Sequence, residues 1–392
     1  MPRPLYQRLP PGPHGVPRED VARNQRTRLY GAMIEAIWQF GYRNTSVADV
    51  LALAGVSRRT FYEHFANKEA CFLATFNIIL ARERKRMIEA WDGEHGWSNR
   101  LYAACSALLG GAAADPRGLH LVLVEASTAG SNTRTCAQQT AATFARMLAS
   151  AHRLTPDRRL PPLAPTAIVG GIRHIIVRRL LERREQELLR LTDGGSRGHR
   201  GDAHKRAGAA EVLDWIECYQ LRATAPVPAH TPSEPTETPR IARLTGRDGG
   251  ARRVDGVAAE ALEVARRRMD AAASWPEAVP RALAGVAAHL AKNAAIIEQA
   301  ASTPRKDPRA IEETVGRLEQ LARVLTNGAP APRCAPGVAH EAIAGALGTV
   351  ISDHARHGRL AQLPGAVNHI AVIVLAPYLG ARGVRETMRA SE

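Results

Sequence analysis

GYRNTSVADVLALAGVSRRTFYEHFANKEACFLA, residues 41–74, is the stretch whose reading decides the fold. Ser46 and Asp49 make an S-x-x-D capping box that opens a short helix with Val47, Val50, Leu51 and Ala54 on its inner face. Gly55 supplies a tight turn, Val56 packs inward, and Ser57 caps the next helix, RRTFYEHF. Upstream, Ala32, Met33, Ala36, Ile37 and Phe40 line one face of a first helix running from Asn24, and Gly41 is placed to stop it. Asn67 caps a fourth helix. Two short helices joined by a glycine turn predict a helix-turn-helix, whose second helix lies in the DNA major groove.

The side chains of that second helix divide by face. Phe61 and Phe65, four apart, point into the core, leaving Arg58, Arg59, Thr60, Tyr62 and His64 outside. Arginine can bond guanine O6 and N7 with both arms of its guanidinium, at about 1–3 kcal/mol of discrimination per base. Thr60, Tyr62 and His64 can donate to phosphates, which position without specifying. Lys68 falls in the first turn of the fourth helix, where the macrodipole disfavours a cation and a nearby phosphate would relieve it. The plain alternatives are a solvated charge pair for Arg58 and Arg59, a surface aromatic for Tyr62 and a packing residue for His64.

This stretch resembles the tetracycline-repressor (TetR) family of bacterial transcription regulators. The matching positions are Gly41, Thr45, the Ala54-Gly55-Val56-Ser57 turn, Phe61-Tyr62-x-His64-Phe65 and Lys68-Glu69. By that resemblance Thr45, Ser46, Thr60, Tyr62, His64 and Lys68 are backbone contacts, Arg58 and Arg59 are base readers, and Ser57 joins the DNA-binding set. The resemblance also implies a helical regulatory domain behind the head that binds a small ligand and forms a dimer. Its ligand residues do not carry over. Trp97, Tyr102, His120, Glu125, Ser127, Arg173 and His174 are pocket candidates only by residue type, with core, interface or solvent roles as the plainer reading.

The rest of the chain is read from composition and periodicity. With 392 residues, 45% of them hydrophobic and 23% charged, it suits a globular protein of two or three domains. The longest apolar stretches, Leu101–Ala114 and Ile370–Leu379, fall short of a bilayer span, and the N-terminus has no secretory signal. Five scattered cysteines without a CxxC pair argue for free thiols in the cytoplasm. A net charge of +15 attracts polyanions, with lysine at only five positions and arginine supplying the rest. Apolar residues recur at 3.6-residue spacing, as in Ala167, Ile168, Ile172, Ile175, Ile176 and Leu180, so the fold class is all-α.

The expected domains are a flexible basic arm at 1–22, the helix-turn-helix at 23–69 and a regulatory domain at 70–222. A Pro/Gly-rich linker at 223–253 and a second helical region at 254–392 follow. Helices are expected at 68–91, 97–114, 117–130, 133–152, 165–191 and 208–222, with a surface loop at 193–208 and two late helices near 338–357 and 365–381. The second region echoes the first. ALEVARRRMDAA (261–272) parallels LARERKRMIEA (80–90), and Trp275 stands to Ser302-Thr303 much as Trp97 stands to Ser127-Thr128. An offset of 175 pairs Ala167-Ile168-x-Gly170 with Ala342-Ile343-x-Gly345. Residues 254–392 therefore read as a diverged second regulatory domain without a helix-turn-helix, against the alternative of chance similarity between alanine-rich helices.

The function expected is a ligand-responsive repressor that binds operator DNA, acts in the cytoplasm and needs no cofactor. The favoured assembly is a homodimer. The alternative is a monomer whose second regulatory domain caps the first. The competing function is a DNA-anchored interaction protein whose C-terminal half binds a protein partner; general nucleoid binding is a further one. No nucleophile elbow, zincin, P-loop or Rossmann motif occurs, so the chain reads as no enzyme. Asp353, His354 and His357 form D-H-x-x-H, read as a solvated helix face and not as metal ligands.

Overall fold

The helices start where the sequence supplies caps. In the computed structural model the residues described are 17–129, 131–151, 158–190, 215–216, 218–219, 221–222, 247–302, 309–334 and 336–390. The arm before residue 17, the loop at 193–208 and most of the stretches at 208–222 and 223–253 lie outside them. Among the described residues the architecture is helical, apart from a two-residue antiparallel ladder in which β1 (Arg158–Arg159) sets Arg158 opposite Arg222 of β2 (Leu221–Arg222).

The head comprises α1 (Arg18–Asn44), α2 (Val47–Ala54) and α3 (Arg58–His64). α1 begins at Arg18, within the stretch read as the basic arm, and kinks at Gly41, whose φ of 74° is easy only for glycine. Ser46 and Asp49 complete the capping box, Gly55 ends α2 in the left-handed region, and the Ser57 hydroxyl accepts the Thr60 N–H at 3.0 Å. Ala32, Met33, Ala36 and Ile37 are buried, as expected, and Leu29 with them, but Phe40 is 46% exposed, next to the kink at Gly41.

Behind the head, α4 (Lys68–Asp92) and α5 (Trp97–Ala114) pair as a hairpin, followed by α6 (Pro116–Leu123), a 3₁₀ turn (Glu125–Ser127) and α7 (Ser131–Ala151). The helix expected over 117–130 breaks after Leu123, where the Glu125 carboxylate takes up the backbone N–H of Tyr42. α8 (Ala164–Leu181) likewise stops short of the expected 191. Arg183 adopts a left-handed φ of 56°, the chain turns, and α9 (Gln186–Arg190) follows.

The second half runs through α10 (Arg247–Asp270), α11 (Trp275–Lys292), α12 (Ala294–Ser302), α13 (Arg309–Thr326) and α14 (Pro336–Arg356), then a 3₁₀ turn (Leu360–Ala366) and α15 (Val367–Ala390). Helix lengths run in parallel: 25, 18, 8, 21 and 18 residues for α4 to α8, and 24, 18, 9, 18 and 21 for α10 to α14. Each 18-residue second helix starts at a buried tryptophan, Trp97 or Trp275. α8 lies along α14, and one hydrophobic cluster runs from Leu29 in the head through Ile176 to Val384. The stretch Leu360–Gly380 is long and apolar enough to cross a membrane, longer than the run read from the sequence; 72% of it is buried inside the protein, as a core helix would be.

Candidate nucleic-acid interface

The three helices of the head are locked by contacts far apart in sequence. Arg28 is buried, and its Nη2 donates to the carbonyls of Ala54 and of Gly55, the latter at 2.7 Å, so a guanidinium closes the carboxyl end of α2. Lys68 does the same for α1: Nζ donates to Tyr42 O at 2.8 Å and Thr45 O at 2.7 Å and lies 4.2 Å over the Tyr42 ring. Burial holds its pKa below the usual lysine value. The carboxyl end of α1 thus relieves a cation at the start of α4 without any phosphate. Thr45 is buried too, its hydroxyl donating to Gly41 O at 2.8 Å. Sequence reading missed Arg28 altogether. Its only signal was a basic residue on the otherwise apolar face of the first helix.

With Phe61 and Phe65 inside, α3 presents Arg58, Arg59 and Tyr62 to solvent. The Arg59 side chain is 90% exposed, held only by a surface pair to Glu63 at 3.0 Å. Such a pair is worth about 0.3–0.5 kcal/mol and yields readily to a base. Tyr62 is 52% exposed, its ring edge-on to Phe61. Ser46 and Ser57 are exposed, though their hydroxyls also serve as caps. Thr60 is half-buried, and His64 is turned partly inward, Nε2 at 3.0 Å from Gln25 Oε1; burial and then Arg26 push its pKa down, favouring the neutral ring. Of the nine expected DNA contacts, Ser57, Arg58, Arg59 and Tyr62 are exposed on or at the start of α3 and Ser46 is exposed at the start of α2, while Thr60 and His64 are half-buried and Thr45 and Lys68 are bonded inward.

The head joins the body through polar contacts. The buried Glu125 carboxylate accepts the Tyr42 N–H at 3.2 Å and the Thr128 hydroxyl at 2.9 Å; burial raises its pKa, and these two bonds oppose the rise. Arg117 pairs with Glu35. Trp38 of α1 meets the His120 ring edge-on at 5.2 Å and carries the Arg183 guanidinium 3.6 Å above it. Burial, then Arg183, lower the His120 pKa to about 4.

The pocket candidates do not converge. Trp97 packs against Trp91 at the far end of the α4–α5 hairpin; α4 is about 38 Å long at 1.5 Å per residue, so Trp97 is remote from the head. Tyr102 is half-buried on α5, while His120 and Glu125 belong to the head joint. Arg173 is exposed and donates to Leu123 O at 3.3 Å, whereas His174, its neighbour, is buried with Nε2 3.4 Å from Glu319 of α13. The Ser127 side chain lies outside the described residues. A depression of about 200 Å³ lies elsewhere, among Met269, Ser274, Trp275 and Asn327. That is smaller than the roughly 300–1,000 Å³ of small-molecule sites. Asp353 and His357 do lie on a solvated face with Arg359, but His354 turns inward, its Nδ1 2.9 Å from Val350 O. Among the described residues no three potential metal ligands cluster.

Residues 31–75 match the family model of bacterial regulatory proteins, tetR family. No curated protein sequence matches the chain. Among solved structures, a TetR family transcription regulator from Marinobacter aquaeolei VT8 is 17% identical, covering 50% of this chain and 96% of its own, with a TM-score of 0.38. The fatty acid degradation regulator FadR from Bacillus halodurans is 18% identical over 45% of this chain and 97% of its own, at 0.35. FadR from Bacillus subtilis in complex with stearoyl-CoA is 18% identical over 42% and 95%, at 0.37.

Proposed function

We propose, from the premise that residues 31–75 form a TetR-family helix-turn-helix domain, that the chain is a sequence-specific transcriptional regulator of the cytoplasm and not an enzyme. The observation that carries this reading is α3: two phenylalanines hold it to the core while Arg58, Arg59 and Tyr62 stand exposed on its outer face. The finer reading is a repressor released from its operator by a small molecule. The ligand would act by binding one orientation of the head better than the other, and its leverage is limited to that difference in affinity.

The second half, residues 254–392, is read as a diverged regulatory unit without a head. The parallel helix lengths and the paired tryptophans support this. α8 would then be the shared element. Its carboxyl end leads into Arg183, which rests on Trp38 of the head, and its Val177 packs with Val124 against Ile311 and Val315 of α13. A change in either half therefore reaches the head through α8.

The test is anisotropy binding to duplexes from the region upstream of the protein's own reading frame, against shuffled controls. Arg59→Ala is expected to relax sequence preference, by about 1–3 kcal/mol per base lost. Tyr62→Phe should weaken specific and shuffled duplexes alike. If both variants bind like the parent, α3 is not the reading helix.

A further inference from the structure

The two halves of the chain meet as two copies of one protein meet across a twofold axis. Gly170 and His174 lie on α8; Gly345 and Thr349, each 175 positions later, lie on α14. A Cβ placed on Gly170 would collide with the Thr349 side chain and come within 2.8 Å of the Gly345 carbonyl oxygen. A Cβ placed on Gly345 would collide with the His174 side chain and come within 2.5 Å of the Gly170 carbonyl oxygen. Gly170 faces Thr349 and Gly345 faces His174, and His174 and Thr349 are themselves counterparts at the same offset. Contact of that reciprocal form is the mark of an isologous interface, in which the same patch faces itself. Two helices packed without such a relation have no reason to show it.

The seam is built as a permanent one. α8 and α14 are buried along most of their lengths, and Ile168, Ile175, Ala342 and Ile343 are fully buried. Two polar contacts cross between the halves: Arg179 with Glu341 at 2.7 Å, and the Tyr219 hydroxyl donating to Ile373 O at 2.8 Å. Trp215 closes over Gly171. The surface through which a second chain would engage α8 is thus occupied by the chain's own α14. The head has no counterpart in this arrangement, because nothing between residues 223 and 260 repeats the 45–65 motif.

We propose that the protein is a single-chain pseudodimer with one DNA-reading head, which acts as a monomer on one unpaired half-site. This rests on the DNA-reading function above, and it replaces the homodimer favoured from the sequence. A dimer with two heads reads an inverted repeat with fixed half-site spacing. One head has no twofold partner, so its target carries no palindrome. Its affinity should also fall less steeply with salt than that of a two-headed regulator, because fewer phosphates are neutralised.

Two measurements on the full chain test this, and they fail separately. Light scattering of the free protein over a wide dilution series is expected to give 42.4 kDa throughout. A mass of twice that would overturn the pseudodimer, whatever the protein does to DNA. Selection from a randomised duplex pool is expected to enrich a single asymmetric motif bound by one chain. An inverted repeat bound by two chains would overturn the one-headed mode. If no motif is enriched, the DNA-reading premise falls while the mass still decides the architecture. The seam itself is checked by charge reversal. Arg179→Glu and Glu341→Arg are each expected to lower Tm, and the double variant to recover part of the loss at unchanged mass. Single variants with the parent Tm would show that α8 and α14 do not meet in solution.

Discussion

The two joints of this molecule are built on opposite principles. The joint between the halves is apolar and glycine-packed, with α8 and α14 so close that neither Gly170 nor Gly345 leaves room for a methyl group. The joint between head and body adds to the shared hydrophobic cluster a handful of directional contacts: Glu125 to the Tyr42 N–H, Arg117 to Glu35, and Arg183 and His120 on Trp38. The apolar part of such a seam gains with buried area, and ion pairs such as Arg179–Glu341 add a smaller, salt-dependent part. A polar joint is the sum of contacts worth roughly 1 kcal/mol each, and a small displacement breaks several together. Under the proposed ligand-responsive reading, the body would stay closed while the head changes angle.

The largest effect is expected where the apolar joint is wedged. Gly345→Leu drives a side chain into the His174 side chain and the Gly170 carbonyl, one of them backbone that cannot yield. Overpacking costs typically about 1–3 kcal/mol, and more where backbone must move. The denaturation midpoint should drop sharply. A variant as stable as the parent would refute the close approach.

Next comes acid, which should strike the polar joint first. His120 has its pKa lowered from 6.5 to about 4, so the folded state prefers the neutral ring. The stability this supplies is fully present above pH 6.5 and is lost as pH falls toward 4. At 1.36 kcal/mol per unit the loss is about 3 kcal/mol. His120→Phe keeps a ring against Trp38 and should remove that part of the pH dependence, read from urea midpoints at neutral and acid pH. Parallel curves for the two proteins would show that His120 is not the group that titrates. Within the head, Arg28→Ala should cost about 1.5–3 kcal/mol, because the Ala54 and Gly55 carbonyls lose a charged donor. Hydrogen exchange should then quicken in α2 before α8.

How much of this was legible in the sequence follows the reach of each contact. Caps act over three or four residues, so Ser46 with Asp49, Ser57 with Thr60, Asn67 with Ala70 and the Gly55 turn could be read directly, and the reading helix with them. Lys68 and Arg28 act across 26 residues, Lys68 to Tyr42 and Arg28 to Ala54, so a phosphate was the partner expected for Lys68 and Arg28 drew no reading until the fold brought the carbonyls to them. α8 stops at Leu181, just before Arg183 turns to a left-handed φ and lies over Trp38, a contact no local pattern encodes. The offset of 175 was visible, but only the fold shows that the offset partners face each other.

The smallest expected effect sharpens the comparison most, because it tells how the polar joint is balanced. Glu125 is buried, and burial raises its carboxyl pKa above the ordinary 4.5, while the bonds from Tyr42 and Thr128 pull the other way. A raised folded pKa means that protonation is favoured on folding. The contribution of Glu125 is therefore complete below pH 4.5 and declines as pH rises through the raised value. Glu125→Gln keeps an oxygen for the Tyr42 N–H and carries no charge. Against the parent it should gain nothing in acid and up to about 1 kcal/mol at neutral pH, the balance of a burial penalty and two hydrogen bonds. A gain that grows with pH would mean the joint is held under a mild electrostatic penalty, and the head sits near its release point. A variant that is instead less stable at neutral pH than in acid would mean the carboxylate's bonds outweigh its burial, and the joint would then be a lock, like the glycine seam.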